Sequence, residues 1–176
     1  MGIINETVLI KSLKNNKDSI RVQVLEDGKK LNVTNGYYLV HLNESYYKTI
    51  AFLQEEGYLD SKLNILKSEA NIQGISDGIK EDNKAEITSF IIETDQNTLK
   101  SKRKLGRLVK INNKIRVYNE EYLQVFTGKL ANEFQLKWVG TGDGFTLAVY
   151  YNDIKLGVTL GMRMPELYEK IKQIVI

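Results

Sequence analysis

Apolar residues along this chain recur at two spacings, and the switches between them divide it into elements. Val8, Leu9 and Leu13 lie at helical spacing, which predicts a short helix over Thr7 to Asn15. From Ser19 to Glu26, Ile20, Val22 and Val24 alternate with Arg21, Gln23 and Leu25, the period of a strand. "EDGK" is a turn, because Asp-Gly readily supplies positive φ. "KLNVT" returns as a strand, Asn35-Gly36 turns the chain again, and "YYLVHL" is a third strand. Asn43 then stands where a helix cap is wanted, with Glu44 against the positive helix end. Tyr46, Tyr47, Ile50, Ala51 and Leu53 form that helix's apolar face, and Gly57 ends it. "KLNILKSE", "ANIQGIS" and "AEITSFIIET" are expected as three strands.

The same order then recurs. "RLVKI" and "KIRVY" form a hairpin joined at Asn112-Asn113. Asn119 caps a second helix, with Glu120 and Glu121 in its first turn and Tyr122, Leu123, Val125, Phe126 and Leu130 facing inward. "FQLKWVG", "GFTLAVYY" and "IKLGVTLGMRM" follow as strands, and Pro165 opens a C-terminal helix. The expected fold class is α+β, with antiparallel sheets and two to four short helices. Two pseudo-repeated units of hairpin, helix and three strands are expected, at 1–95 and 96–176, either as separate units or merged in one compact domain.

Composition narrows the function classes. A chain of 176 residues with no cysteine has neither disulfides nor thiolate metal sites. No segment approaches the ~20 apolar residues of a membrane-spanning helix, and the N-terminus lacks a signal-peptide pattern. The expectation is a cytoplasmic protein without membrane attachment. Twenty Lys against five Arg, with 15 Asn and 18 Ile, is what AT-rich codons encode, so a bacterial, phage or plasmid origin is expected. The net charge of +3 hides an asymmetry. Asn43 to Asp95 carries a net −6, whereas Gln96 to Arg116 holds eight basic residues and no acid. Such asymmetry marks a nucleic-acid face, a contact between subunits, or a solvated loop.

No catalytic constellation is visible. The single histidine, His41, lies inside an apolar strand and reads as structural. "GTGDG" lacks the Lys-Ser/Thr of a phosphate loop and precedes a strand, so it reads as a hairpin loop. The acidic run "DGIKEDNKAE" has the wrong spacing for a calcium loop. The chain calls for no cofactor and no metal, and an enzyme is not expected. Ten tyrosines include the adjacent pairs 37–38, 46–47 and 150–151. Each pair leaves two roles open, packing at a rim or stacking on bases.

Three stretches carry a family likeness. "LNVTNGYYLVHLNESYYKTIAFL", with Thr34, Gly36, Tyr37 and Leu39 in place, resembles the strand-then-helix pattern of DNA polymerase sliding clamps. "IRVYNEEYLQVF" is similar to a clamp helix start through Asn119, Tyr122 and Leu123, and "GVTLGMRM" to a closing clamp strand through Met162, Arg163 and Met164. Asn35 stands where the family has Asp, and Tyr38 where it has Arg. The chain is also shorter than a ring subunit, so the resemblance implies a shortened, phage-type clamp-like protein. It further implies a non-enzymatic replication accessory that forms a homo-oligomer and holds double-stranded DNA through phosphates. The candidate phosphate contacts are Lys100, Lys102, Arg103, Lys104, Arg107, Lys11 and Lys14. The alternative is a small phage-type protein that binds and modulates a host protein, a polymerase among the candidates.

Overall fold

The computed structural model describes residues 3–25, 28–72, 83–94, 104–128, 136–140 and 146–163. Among them are helix α1 (Glu6–Asn15), a 3₁₀ turn (Lys17–Ser19), strands β1 (Arg21–Val24), β2 (Lys30–Thr34) and β3 (Tyr38–Asn43), and helix α2 (Tyr47–Glu55). Then come β4 (Asn83–Glu93), β5 (Leu105–Ile111), β6 (Lys114–Asn119), helix α3 (Glu120–Val125), β7 (Leu136–Gly140), β8 (Thr146–Tyr151) and β9 (Ile154–Leu160). The fold is α+β: the described residues form three α-helices and one antiparallel sheet of nine strands, in the order β1-β2-β3-β9-β8-β7-β4-β5-β6. No helix among the described residues is long and apolar enough to cross a membrane.

Local chemistry sets the elements. α1 begins at Asn5, whose side chain accepts the Val8 amide at 3.3 Å. β5 and β6 turn at Asn112, and β8 and β9 at Asn152-Asp153; all three residues have positive φ, which Asn and Asp tolerate well. Asn119 ends β6 and caps α3, its side chain accepting the Glu121 amide at 2.9 Å, as the sequence predicts.

Two expectations are corrected. Asn43 does not cap α2. Its carboxamide oxygen accepts the Ser45 amide and hydroxyl in a turn ahead of the helix, and the Tyr46 cap makes no side-chain bond. The cap comes instead from α1: Glu6 accepts the Thr49 amide at 2.7 Å and its hydroxyl at 3.0 Å. "KLNILKSE" is likewise not a strand. Leu63 and Ser68 have positive φ, which breaks the pleat, and Asp60 accepts the Lys62 and Asn64 amides to fold the chain locally. The segment is tied to β1 by the Val22 amide on the Ser68 carbonyl and the Ala70 amide on the Val22 carbonyl. "ANIQGIS" and the helix expected from Pro165 lie largely or wholly outside the described residues, as does "GTGDG".

The core runs along one face of the sheet. Val33 and Val40 meet Leu9 and Leu13 of α1, Phe52 and Leu53 of α2, and Val125 and Phe126 at the end of α3. Each of these side chains, once buried, contributes about 1.5–3 kcal/mol. A second cluster joins Val109, Ile111 and Tyr118 of β5 and β6 to Leu147 of β8 and Leu123 of α3. The two expected halves share this sheet: β3 pairs with β9, and β4 pairs with both β5 and β7. Past β9 the chain returns to the far edge, where Gly161 bridges Tyr118 and the Met162 amide donates to the Val117 carbonyl at 2.8 Å. The residues just past β9 thus cover part of the outer edge of β6, the last strand of the sheet.

Candidate functional site

Near this covered edge lies a cleft of about 1040 Å³. Its walls come from α1, the β2–β3 turn, the start of β5, α3 and the residues after β9. Lys11, Tyr37, Lys104, Glu121, Tyr122 and Arg163 are the lining side chains with evident chemistry.

The β2–β3 turn is tightly built. Asn35 accepts the amides of Tyr37 and Tyr38 at 3.0 and 3.2 Å. The Thr34 hydroxyl accepts the Gly36 amide and donates to the Tyr38 carbonyl at 2.5 Å. Gly36 has φ +88°, a conformation in which any side chain would be strained. The Leu160 amide, from β9, donates to the Tyr37 carbonyl at 2.9 Å. Tyr37 is thereby held at the cleft while remaining exposed. Its ring stacks on Tyr122 with centroids 5.8 Å apart and planes 20° from parallel. Tyr122 in turn meets Tyr38 edge-on at 5.2 Å and 62°.

Burial pushes the Tyr122 hydroxyl up to about 12, with Tyr37 and the Glu121 carboxylate adding to the effect. Burial also raises Tyr38 beyond the ordinary phenol range. Both phenols are neutral at physiological pH and serve as hydrogen-bonding or stacking groups rather than as bases. Among the described residues no group of three or more His, Cys, Asp or Glu is placed to hold a metal ion.

The structure separates the sequence-predicted cations into different roles. Lys11 and Lys104, far apart in sequence, line the same cleft. The exposed Lys11 lies 3.5 Å from the half-buried Glu121 carboxylate. Lys104 anchors the base of its strand through its carbonyl, which accepts the Thr94 amide and hydroxyl at 2.9 and 3.0 Å. Lys14 sits 5.5 Å from the centre of the Phe52 ring and does not line the cleft. Arg107 is committed elsewhere: its guanidinium grips Glu120 at 2.6 and 2.7 Å and donates to the Thr88 carbonyl at 3.0 Å. That contact holds the Glu120 carboxyl below its ordinary range. Lys100, Lys102 and Arg103 lie outside the described residues.

Residue-by-residue reading missed the convergence of Tyr37 and Tyr122 and gave Arg163 no site role. The available signal was an aromatic next to an Asn-Gly turn and another in the first turn of a capped helix. Nothing local in the sequence says that the two meet. His41 is where a structural histidine belongs: Nδ1 lies 2.7 Å from the side-chain oxygen of Asn32, whose amide donates to Gln23 at 2.9 Å. No protein-family model, curated protein or solved structure matches the chain.

Proposed function

We propose that this chain is a non-enzymatic, DNA-associated accessory protein of the clamp-like kind its sequence resembles, holding nucleic acid through phosphate contacts in a cytoplasmic setting. One observation carries the reading: Lys11 and Lys104, from opposite halves of the chain, line with Arg163 one cleft that also presents an aromatic ring and the Glu121 carboxylate. Cations gathered this way neutralise phosphates and release counterions, so binding weakens as salt rises. Each cation that contacts a phosphate adds about 0.9 to the slope of log affinity against log salt for duplex DNA, and about 0.7 for a single strand. Lys11→Ala and Lys104→Ala are each expected to lower that slope by close to this amount in a fluorescence anisotropy titration. Wild-type slopes in both variants would reject the cleft as the phosphate site. The ring form of the reading also requires self-association. Size-exclusion chromatography with light scattering that returns only the 20.2 kDa monomer removes the ring.

A second reading, a modulator of a host protein, is favoured by a different observation. On the β4–β5 arm, Phe90 is 67% exposed, and Ile91 and Leu105 are exposed elsewhere on the same arm. Among the described residues, only Asn83 and Lys84 of β4 pair with β7, whereas β5 runs along most of the strand. Phe90→Asp is expected to abolish recovery of a host protein that the wild type retains. Recovery of the same protein by both would remove the arm from that reading.

A further inference from the structure

We infer that the cleft takes an unpaired nucleobase on the open face of Tyr37, so that the nucleic acid it holds is single-stranded. The inference deepens the DNA-associated reading and rests on it. Tyr37 is 54% exposed, yet it is not loosely held. One face of its ring is backed by Tyr122, itself fixed by the edge contact with the buried Tyr38. Its backbone is pinned on both sides, by Asn35 from the turn and by Leu160 from β9. A braced aromatic has already lost the side-chain freedom that stacking would otherwise cost. Stacking needs only a flat π face and reads no base edge, which suits a protein without sequence preference. Lys11, Lys104 and Arg163 line the same cleft and are the candidates for the phosphates flanking a stacked base. A base within a duplex is covered above and below by its neighbours and offers no face to Tyr37. Duplex DNA has only the cations to bind.

The test is fluorescence anisotropy at low salt with a labelled oligothymidylate of about 12 nucleotides and with a duplex of equal length. The single strand is expected to bind at least about tenfold more tightly than the duplex. Tyr37→Ala is expected to cost on the order of 10- to 100-fold of single-strand affinity while leaving duplex binding unchanged. Tyr37→Phe and Tyr37→Trp keep the platform and the affinity. In Tyr37→Trp the oligonucleotide quenches the new indole, with Trp138 in the wild type as the baseline. Wild-type single-strand affinity in Tyr37→Ala, equal losses for strand and duplex, or an unquenched indole in Tyr37→Trp overturns the inference and leaves the DNA-associated reading standing. Failure of both nucleic acids to bind the wild type overturns both.

Discussion

Replacing Arg107 by Ala separates a structural cation from a phosphate-binding one. Its guanidinium makes a bidentate pair with Glu120, and the two side chains are only 20% and 12% exposed. Removing the arginine leaves a carboxylate in a poorly solvated site with one remaining side-chain partner, Gln124 at 3.2 Å. Breaking a fully buried pair costs about 3–5 kcal/mol. Partial exposure lowers this to about 2–3 kcal/mol here. With a urea m-value of about 2 kcal/mol/M, the unfolding midpoint falls by roughly 1–1.5 M. Adding Glu120→Gln removes the stranded charge, so the double variant is expected to recover about 1 kcal/mol or more of the loss. Arg107→Lys, which keeps the charge but not the fork, falls between. A stability within about 0.5 kcal/mol of wild type for Arg107→Ala would refute the structural role. A salt slope for DNA binding lowered by about 0.9 at unchanged stability would return Arg107 to the phosphate contacts.

Other outcomes follow from the same physics. Glu120 has its carboxyl held below the ordinary 4.5 by Arg107, so this stabilisation is complete above that value and is lost as pH falls through the lower folded-state pKa; acid unfolding of Arg107→Ala monitored by circular dichroism is expected to lack this component. Tyr122 is raised to about 12, so its contribution is complete below the ordinary 10.0 and is lost as pH rises from there through 12; Tyr122→Phe is expected to flatten the alkaline limb of a Tm-against-pH curve. Glu6→Ala removes the cap on Thr49 and is expected to cost about 1 kcal/mol, a Tm loss of about 2–4 °C. Gly157→Ala would push a methyl group into the Leu39 carbonyl and to 2.9 Å from the Phe126 ring, within a strand paired on both sides, so a loss of about 3 kcal/mol or more, read as Tm or soluble yield, is expected.

Elements governed by neighbours in sequence were legible in advance. Alternation set β1 to β3, Asn112 set the β5–β6 turn, and Asn119 capped α3 because cap and amide are two residues apart. What failed was decided at long range. Asn43 has the right side chain for a cap, but the α2 amide was taken by Glu6, 43 positions away. Leu63 and Ile65 alternate as strand residues do, but the chain around them bends at Leu63 and Ser68 instead of pairing along its length. The site was less legible still. Lys11 and Lys104 were both named as cations without any sign that they share a cleft. Arg107 read like its basic neighbours because its partner stands beyond the next strand, on α3.

The two helix starts share an Asn-Glu-x-Tyr pattern, Asn43 to Tyr46 and Asn119 to Tyr122. Both follow a strand and lead into a short helix, yet they are capped by different means, Asn119 by its own side chain and α2 by Glu6 from α1. Repetition of pattern is thus not repetition of mechanism. α1 serves both starts. Besides capping α2, it places Lys11 beside Glu121 on α3, and the Asn5 amide at its entry donates to the Val125 carbonyl at 2.7 Å. The same helix supplies one wall of the cleft, and the turn that holds Tyr37 is tied to β9 through the Leu160 amide. The boundary expected near residue 95 therefore runs through the site itself: α1 and Tyr37 stand on one side of it, and Lys104, Tyr122 and Arg163 on the other. Whatever the cleft binds, the binding surface exists only when both halves are folded against α1.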